Sequence, residues 1–188
     1  MGLRDVLFGR RRLKEAKREP LFALPSAAVT MDVELGLRPA GVGAVVFKPL
    51  SAGEFVRAEN EMQELLDVAA RDSSSRIERR SDDYGFEWLI VRDDELEDLV
   101  TTVHLIGSEL VDRGFGPQLL AAVFRFDGRK SPVYWIYGYK RGAFWPFVPT
   151  RERDRDNAEE LELKAKLEKE LPVEPDISMW FALFGLPI

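Results

Sequence analysis

The chain has 188 residues, 45% hydrophobic and 32% charged, a formal net charge of −6, no cysteine and one histidine. That size supports about one domain with a real core and short appendages. The missing cysteines exclude disulfides and thiolate chemistry, and the lone His104 excludes a multi-histidine centre. No apolar run reaches the roughly 20 residues of a bilayer span, and an acidic body argues against general nucleic-acid binding.

Residues 1–19 hold seven basic and three acidic side chains, which leaves −10 for residues 20–188. Leu3, Val6 and Leu7 share one helical face, with Phe8 beside them, and Arg10, Arg11, Arg12, Lys14, Lys17 and Arg18 follow. A secretory leader has the reverse order and a longer apolar stretch, so a cytoplasmic location is expected. A helix this short is marginal alone, and the arm is expected to order on docking. Three destinations fit it: anionic lipid, a partner helix, and the protein's own body. On lipid, each basic residue contributes about 1 kcal/mol and each partly buried apolar residue roughly as much. Ordering offsets some of this, so the contact would be weak and reversible.

Pro25 suits a first helical turn, and residues 26–35 follow as a helix ended by Gly36. Val29, Met31, Val33 and Leu35 also alternate as in a strand; helix is the expectation. Residues 42–47 read as a buried strand stopped by Pro49. Ser51 can cap a helix in which Phe55, Ala58, Met62, Leu65, Leu66 and Ala69 recur at helical spacing. Residues 76–80 read as an exposed strand, 81–85 as a hairpin connection and 86–91 as a strongly apolar strand. Leu96, Leu99, Val100, Val103, Ile106 and Leu110 mark an amphipathic helix over about 94–113, ended by Gly114 and Pro117.

Residues 119–126 and 133–140 form a hairpin around Asp127-Gly128. Within the second strand, residues 135, 137 and 139 share one face and 134 and 136 the other. A short segment at 143–148 precedes a charged helix over 156–171, broken by Pro172 and Pro175. A small helix or apolar tail, 179–186, is expected to pack back on the body.

The order β-α-β-β-α-β-β over residues 42–140 implies an α+β fold. It is a mainly antiparallel sheet with helices layered on one face, its first six elements in ferredoxin-like order. The expected division is a basic arm (1–20), a core domain (21–150), and a charged helix with an apolar tail packed on the core (151–188).

Tyr139, Lys140, Arg141, Phe144 and Trp145 form the densest aromatic and basic cluster, a candidate partner or anion contact. Against that, strand aromatics are commonly core, and Lys140 and Arg141 can pair with the acidic body. Gly114-Phe115-Gly116-Pro117 and Gly41-Val42-Gly43 lack the strand-then-helix context of a phosphate loop. Asp82 and Asp83 fall in a turn. Asp93, Asp94 and Glu95 fall at a helix start, where carboxylates meet the helix dipole. His104 has no serine or aspartate at a triad spacing. The residues therefore point to no catalytic constellation, metal site or cofactor. Residues 151–170 alternate in charge, which suits a solvated face or the docking of another charged helix.

LFALPSAAVT at 21–30, DYGFEW at 83–88, GFGPQLL at 114–120, YKRGAF at 139–144, Asp156-Asn157-Ala158 and LPVEPD at 171–176 carry a resemblance. Together with the apolar nub at 1–9, they resemble the actinobacterial-type PspA-associated family PspAB over nearly the whole chain. The resemblance implies an accessory role beside PspA, a coiled-coil protein of the membrane surface in the phage-shock envelope-stress response. It implies no activity and no binding residues. The expected partner is a PspA-like coiled coil, and the arm residues Leu3, Val6, Leu7, Phe8, Arg10, Arg11, Arg12 and Lys14 are the candidate contact to either an anionic membrane surface or a partner. No nucleic acid is expected, and the oligomeric state stays open. The alternative is a small-ligand sensor with a pocket between sheet and helices.

Overall fold

The computed structural model describes residues 19–48, 75–151 and 153–188. A 3-10 turn, Glu19–Phe22, leads into α1 (Ala23–Leu35). Leu24, Ala27, Ala28, Met31 and Leu35 bury one helical stripe, while Val29 and Val33 face solvent. That burial pattern decides for helix over strand at 29–35. Gly36 ends α1 with φ 64°, the left-handed cap that costs glycine least.

The chain continues through β1 (Arg38–Phe47), β2 (Arg76–Ser81), β3 (Glu87–Arg92) and α2 (Leu96–Leu110). A wider helical turn, Val111–Phe115, closes α2 where Gly114 takes φ 90°. Then come β4 (Leu119–Asp127), β5 (Val133–Gly138) and β6 (Ala143–Phe147). A short pair, β7 (Pro149–Arg151) and β8 (Asp154–Arg155), precedes α3 (Asn157–Leu167). Asp156 caps α3 by accepting the Glu159 N–H at 2.9 Å.

Six strands form one antiparallel sheet in the order β2-β3-β1-β4-β5-β6. The fold is α+β, as the alternation of periods implies. Four details differ from the sequence expectation. β1 begins at Arg38 because Arg38 and Pro39 pair with Asp127 and Phe126 before a bulge. β5 stops at Gly138, where residues 139–142 turn back to β6. The β7–β8 pair has no periodic signature in the sequence. α3 ends at Leu167, and Leu171 folds under it with its N–H on the Leu167 carbonyl at 2.8 Å. The helix expected near 51–70 and the arm at 1–18 lie outside the described residues.

Alternation along the strands separates two cores. Phe47, Leu89, Phe124, Trp135, Tyr137 and Phe144 face α1, α2 and α3, with Met31, Val103 and Leu163 among the helical partners. Val46, Trp88, Ile90, Val123, Ile136 and Phe147 face the other way. The tail covers this second face, with Trp180, Leu183, Phe184, Leu186 and Ile188 packed on it. Trp180 is the tail's one buried large side chain, and Leu183, Phe184, Leu186 and Ile188 add partial burial, each removing apolar surface from water. The outer edge of β6 is also covered. Phe144 donates to the Pro172 carbonyl and accepts from the Glu174 N–H, both at 2.8 Å. That pairing closes an edge that would otherwise offer free backbone groups.

Candidate functional site

The tail is pinned at several points. Arg155 Nη1 donates to the Trp180 carbonyl at 2.9 Å, and Trp180 Nε1 donates to the Glu174 carbonyl at 3.0 Å. Tyr134 Oη donates to the Ile188 carbonyl at 3.0 Å, and the rings of Phe147 and Phe184 meet edge-on with centroids 5.3 Å apart. Arg155 is itself fixed: its Nε lies 2.9 Å from both oxygens of Glu160, and its guanidinium sits 5.2 Å from the Phe147 ring centroid. Glu160 is buried and also accepts the Val148 N–H at 2.8 Å. Burial pushes the Glu160 carboxyl above its ordinary range, with Arg155 and the Val148 N–H opposing.

Between this tail and one end of the sheet lies an apolar groove of about 780 Å³. The sheet contributes Leu120, Ala121, Gly138 and Trp145; the tail contributes Phe181 and Leu183. Trp145 joins the two walls by donating Nε1 to the Phe181 carbonyl at 3.0 Å. Gly138 is required here: a Cβ on it would lie 2.8 Å from Cζ3 of Trp145, so only glycine lets the indole lie across β5.

Lys48, Lys140 and Arg141 stand at one end of the groove. Strand register places them there. Lys48 follows β1 and donates its N–H to the Gln118 carbonyl at 2.9 Å, and Tyr139, the residue before Lys140, donates to the Leu120 carbonyl at 3.2 Å. The two lysines therefore flank the start of β4 from its two neighbouring strands. Arg141 pairs with Glu174 at 2.9 Å, as an acidic body allows. Lys48 and Lys140 are exposed and have no ion-pair partner among the described residues.

The five residues of the aromatic and basic cluster do not form one surface. Lys140, Arg141 and Trp145 line the groove. Phe144 is wholly buried on the helix side, so it cannot itself touch a partner. Tyr139 points the same way; its hydroxyl is buried without a hydrogen-bond partner among the described residues. Burial raises its phenol pKa, and its ring meets Tyr137 edge-on at 5.6 Å. Strand alternation causes this split: Tyr139 continues the face of Trp135 and Tyr137, and Trp145 points opposite to its neighbour Phe144. Leu3, Val6, Leu7, Phe8, Arg10, Arg11, Arg12 and Lys14 lie outside the described residues.

Two of the carboxylates singled out in the sequence, Asp82 and Asp93, organise turns. Asp82 accepts the N–H groups of Tyr84 and Phe86 and the Trp88 indole, each at 2.9 Å. Asp93 accepts the Ser75 hydroxyl at 2.7 Å and the Glu95 N–H at 3.0 Å. His104 packs against the Phe22 ring at 5.0 Å. Among the described residues there is no cluster of three metal-ligating side chains and no helix long and apolar enough to cross a membrane. Sequence reasoning missed Lys48, Gly138 and the tail as parts of one site. The apolar run at 179–186 was its one available signal, and the strand register that assembles the rest is not local. Among the described residues, this groove lies on the sheet face opposite the helices.

No curated protein and no solved structure matches the chain. The model of the family described as PspA associated protein B matches residues 1–188, from end to end, and the chain belongs to that family, PspAB.

Proposed function

We propose that this protein is a non-enzymatic accessory component of a PspA-type envelope-stress system. It acts by protein–protein contact, with peripheral contact to the cytoplasmic side of the membrane through its basic arm. Membership of the PspA-associated family over the whole chain is the observation that carries this reading.

Two surfaces suit the contacts. The arm residues Leu3, Val6, Leu7 and Phe8, with Arg10, Arg11, Arg12 and Lys14, combine apolar insertion with positive charge. Such a segment suits an anionic lipid surface or an acidic helix of a coiled coil. On the folded body, the charged outer face of α3 suits a PspA-like helix.

The test is co-sedimentation of the full chain with phosphatidylglycerol vesicles, at low and high salt, with and without PspA. The comparison protein carries Arg10→Glu, Arg11→Glu and Arg12→Glu. Salt-sensitive, arm-dependent sedimentation without PspA supports direct lipid contact. Sedimentation only with PspA supports an adaptor that reaches the membrane through its partner. No association with PspA under either condition overturns the proposal.

A further inference from the structure

We propose that the groove between the tail and the sheet binds a single-chain anionic amphiphile. Its alkyl chain would lie along Leu120, Trp145, Phe181 and Leu183, and its carboxylate or phosphate head would meet Lys48 and Lys140.

Three observations carry this assignment. The groove's volume, about 780 Å³, falls in the range of small-molecule sites. Its walls are mainly hydrocarbon and aromatic, so an alkyl chain gains by leaving water there. Finally, its charge is opposite to that of the body around it. Residues 20–188 carry −10, yet the side chains at this end of the groove are Lys48, Lys140 and Arg141. Glu174 occupies Arg141 at 2.9 Å. The two lysines have no ion-pair partner among the described residues and stand on either side of one strand. A compact ammonium on a flexible stem follows a head group of either carboxylate or phosphate chemistry.

The tail makes the site a groove rather than a bare sheet face. Its anchors at Trp180 and Ile188 bracket the segment that forms the wall. The carbonyl of Phe181 is tied to Trp145, while its side chain is 59% exposed.

The experiment uses the full chain without PspA and without vesicles, so its failure leaves the PspA reading standing. Sodium myristate, below its micelle concentration, is titrated against tryptophan fluorescence, with stoichiometry read by native mass spectrometry. Tetradecyltrimethylammonium is the cationic control. One saturable equivalent of myristate, bound at least tenfold more tightly than the cation, is expected. Lys48→Glu with Lys140→Glu should weaken myristate at least tenfold, and Ala182→Trp should block it by filling the groove. The lysines are exposed, so their variant keeps the test decisive even if Ala182→Trp does not fold. Equal binding of both amphiphiles, several weak equivalents indifferent to the lysines, or no binding of myristate would overturn the proposal. So would binding of an acidic amphipathic peptide in place of myristate.

Discussion

The Tyr139 hydroxyl lies against Gly107 of α2, so close that a Cβ on Gly107 would stand 2.6 Å from Oη and 3.0 Å from Cζ. This contact fixes the exit of β5, and with it the position of Lys140, directly on a helix. Gly107→Ala gains about 1 kcal/mol of helix propensity but overpacks a rigid buried ring, at about 1–3 kcal/mol. A net loss of stability is expected in urea unfolding. Tyr139→Phe removes a buried hydroxyl that has no partner and should be neutral or stabilising by about 1 kcal/mol. Combined, the second change should relieve the first. Strict additivity in the double-mutant cycle would deny the contact.

The Arg155–Glu160 pair holds the tail to the body through Trp180. Glu160→Ala leaves the half-buried Arg155 guanidinium without its carboxylate and strands the buried Val148 N–H, so a loss of about 2–3 kcal/mol is expected. The pair also gives a pH signature. Burial raises the folded-state pKa of Glu160 above its unfolded value. Between those two values the folded state binds more protons, so this group's contribution to stability increases as pH falls and diminishes as pH rises. The unfolding free energy of the wild type minus that of Glu160→Gln should therefore grow from pH 7 down into the carboxylate range. A flat difference would contradict the raised pKa.

Gly128 turns the β4–β5 hairpin at φ 130°, and a Cβ there would lie 2.0 Å from the Gly36 carbonyl oxygen. Backbone meets backbone, so no side chain can yield. Gly128→Ala is expected to cost about 3 kcal/mol or more through strain and overlap together. Gly36, at φ 64°, has open space around it, so Gly36→Ala should cost only about 1–2 kcal/mol, the left-handed penalty alone. Thermal melts of the two variants should rank them in that order, and the reverse ranking would disprove the packing at the turn.

Trp180 is 5% exposed and anchors the tail through its indole and its carbonyl. Trp180→Ala is expected to cost about 3–5 kcal/mol. It should also uncover the second sheet face, read as increased binding of a hydrophobic dye at temperatures where the protein remains folded. A destabilised variant that binds no more dye would mean the tail stays seated without its anchor.

Much of the fold is legible from local pattern. Residues at period 3.6, such as Leu99, Val100, Val103, Ile106 and Leu110, form the buried face of α2. Residues at period 2, such as Tyr134 and Ile136 against Trp135 and Tyr137, divide between the two cores. Asp127-Gly128 marks its hairpin because few other residues adopt that backbone. Such features depend on neighbours along the chain, so the α+β class and the antiparallel sheet follow from the sequence by itself.

The groove depends on neighbours in space. Nothing near Lys48 in the sequence says that it will pair with Gln118 at the start of β4, with Lys140 on that strand's other side. Nothing near Trp145 says that Phe181 will accept its indole N–H. The split of Tyr139 from Trp145 follows strand alternation, but only the fold lays the Trp145 indole over Gly138. Composition and periodicity determined the class of the fold, its helical face and the charge of its arm. Only tertiary structure decided which face the tail covers and which cations meet there, because strand register and the packing of distant segments are cooperative properties of the whole chain.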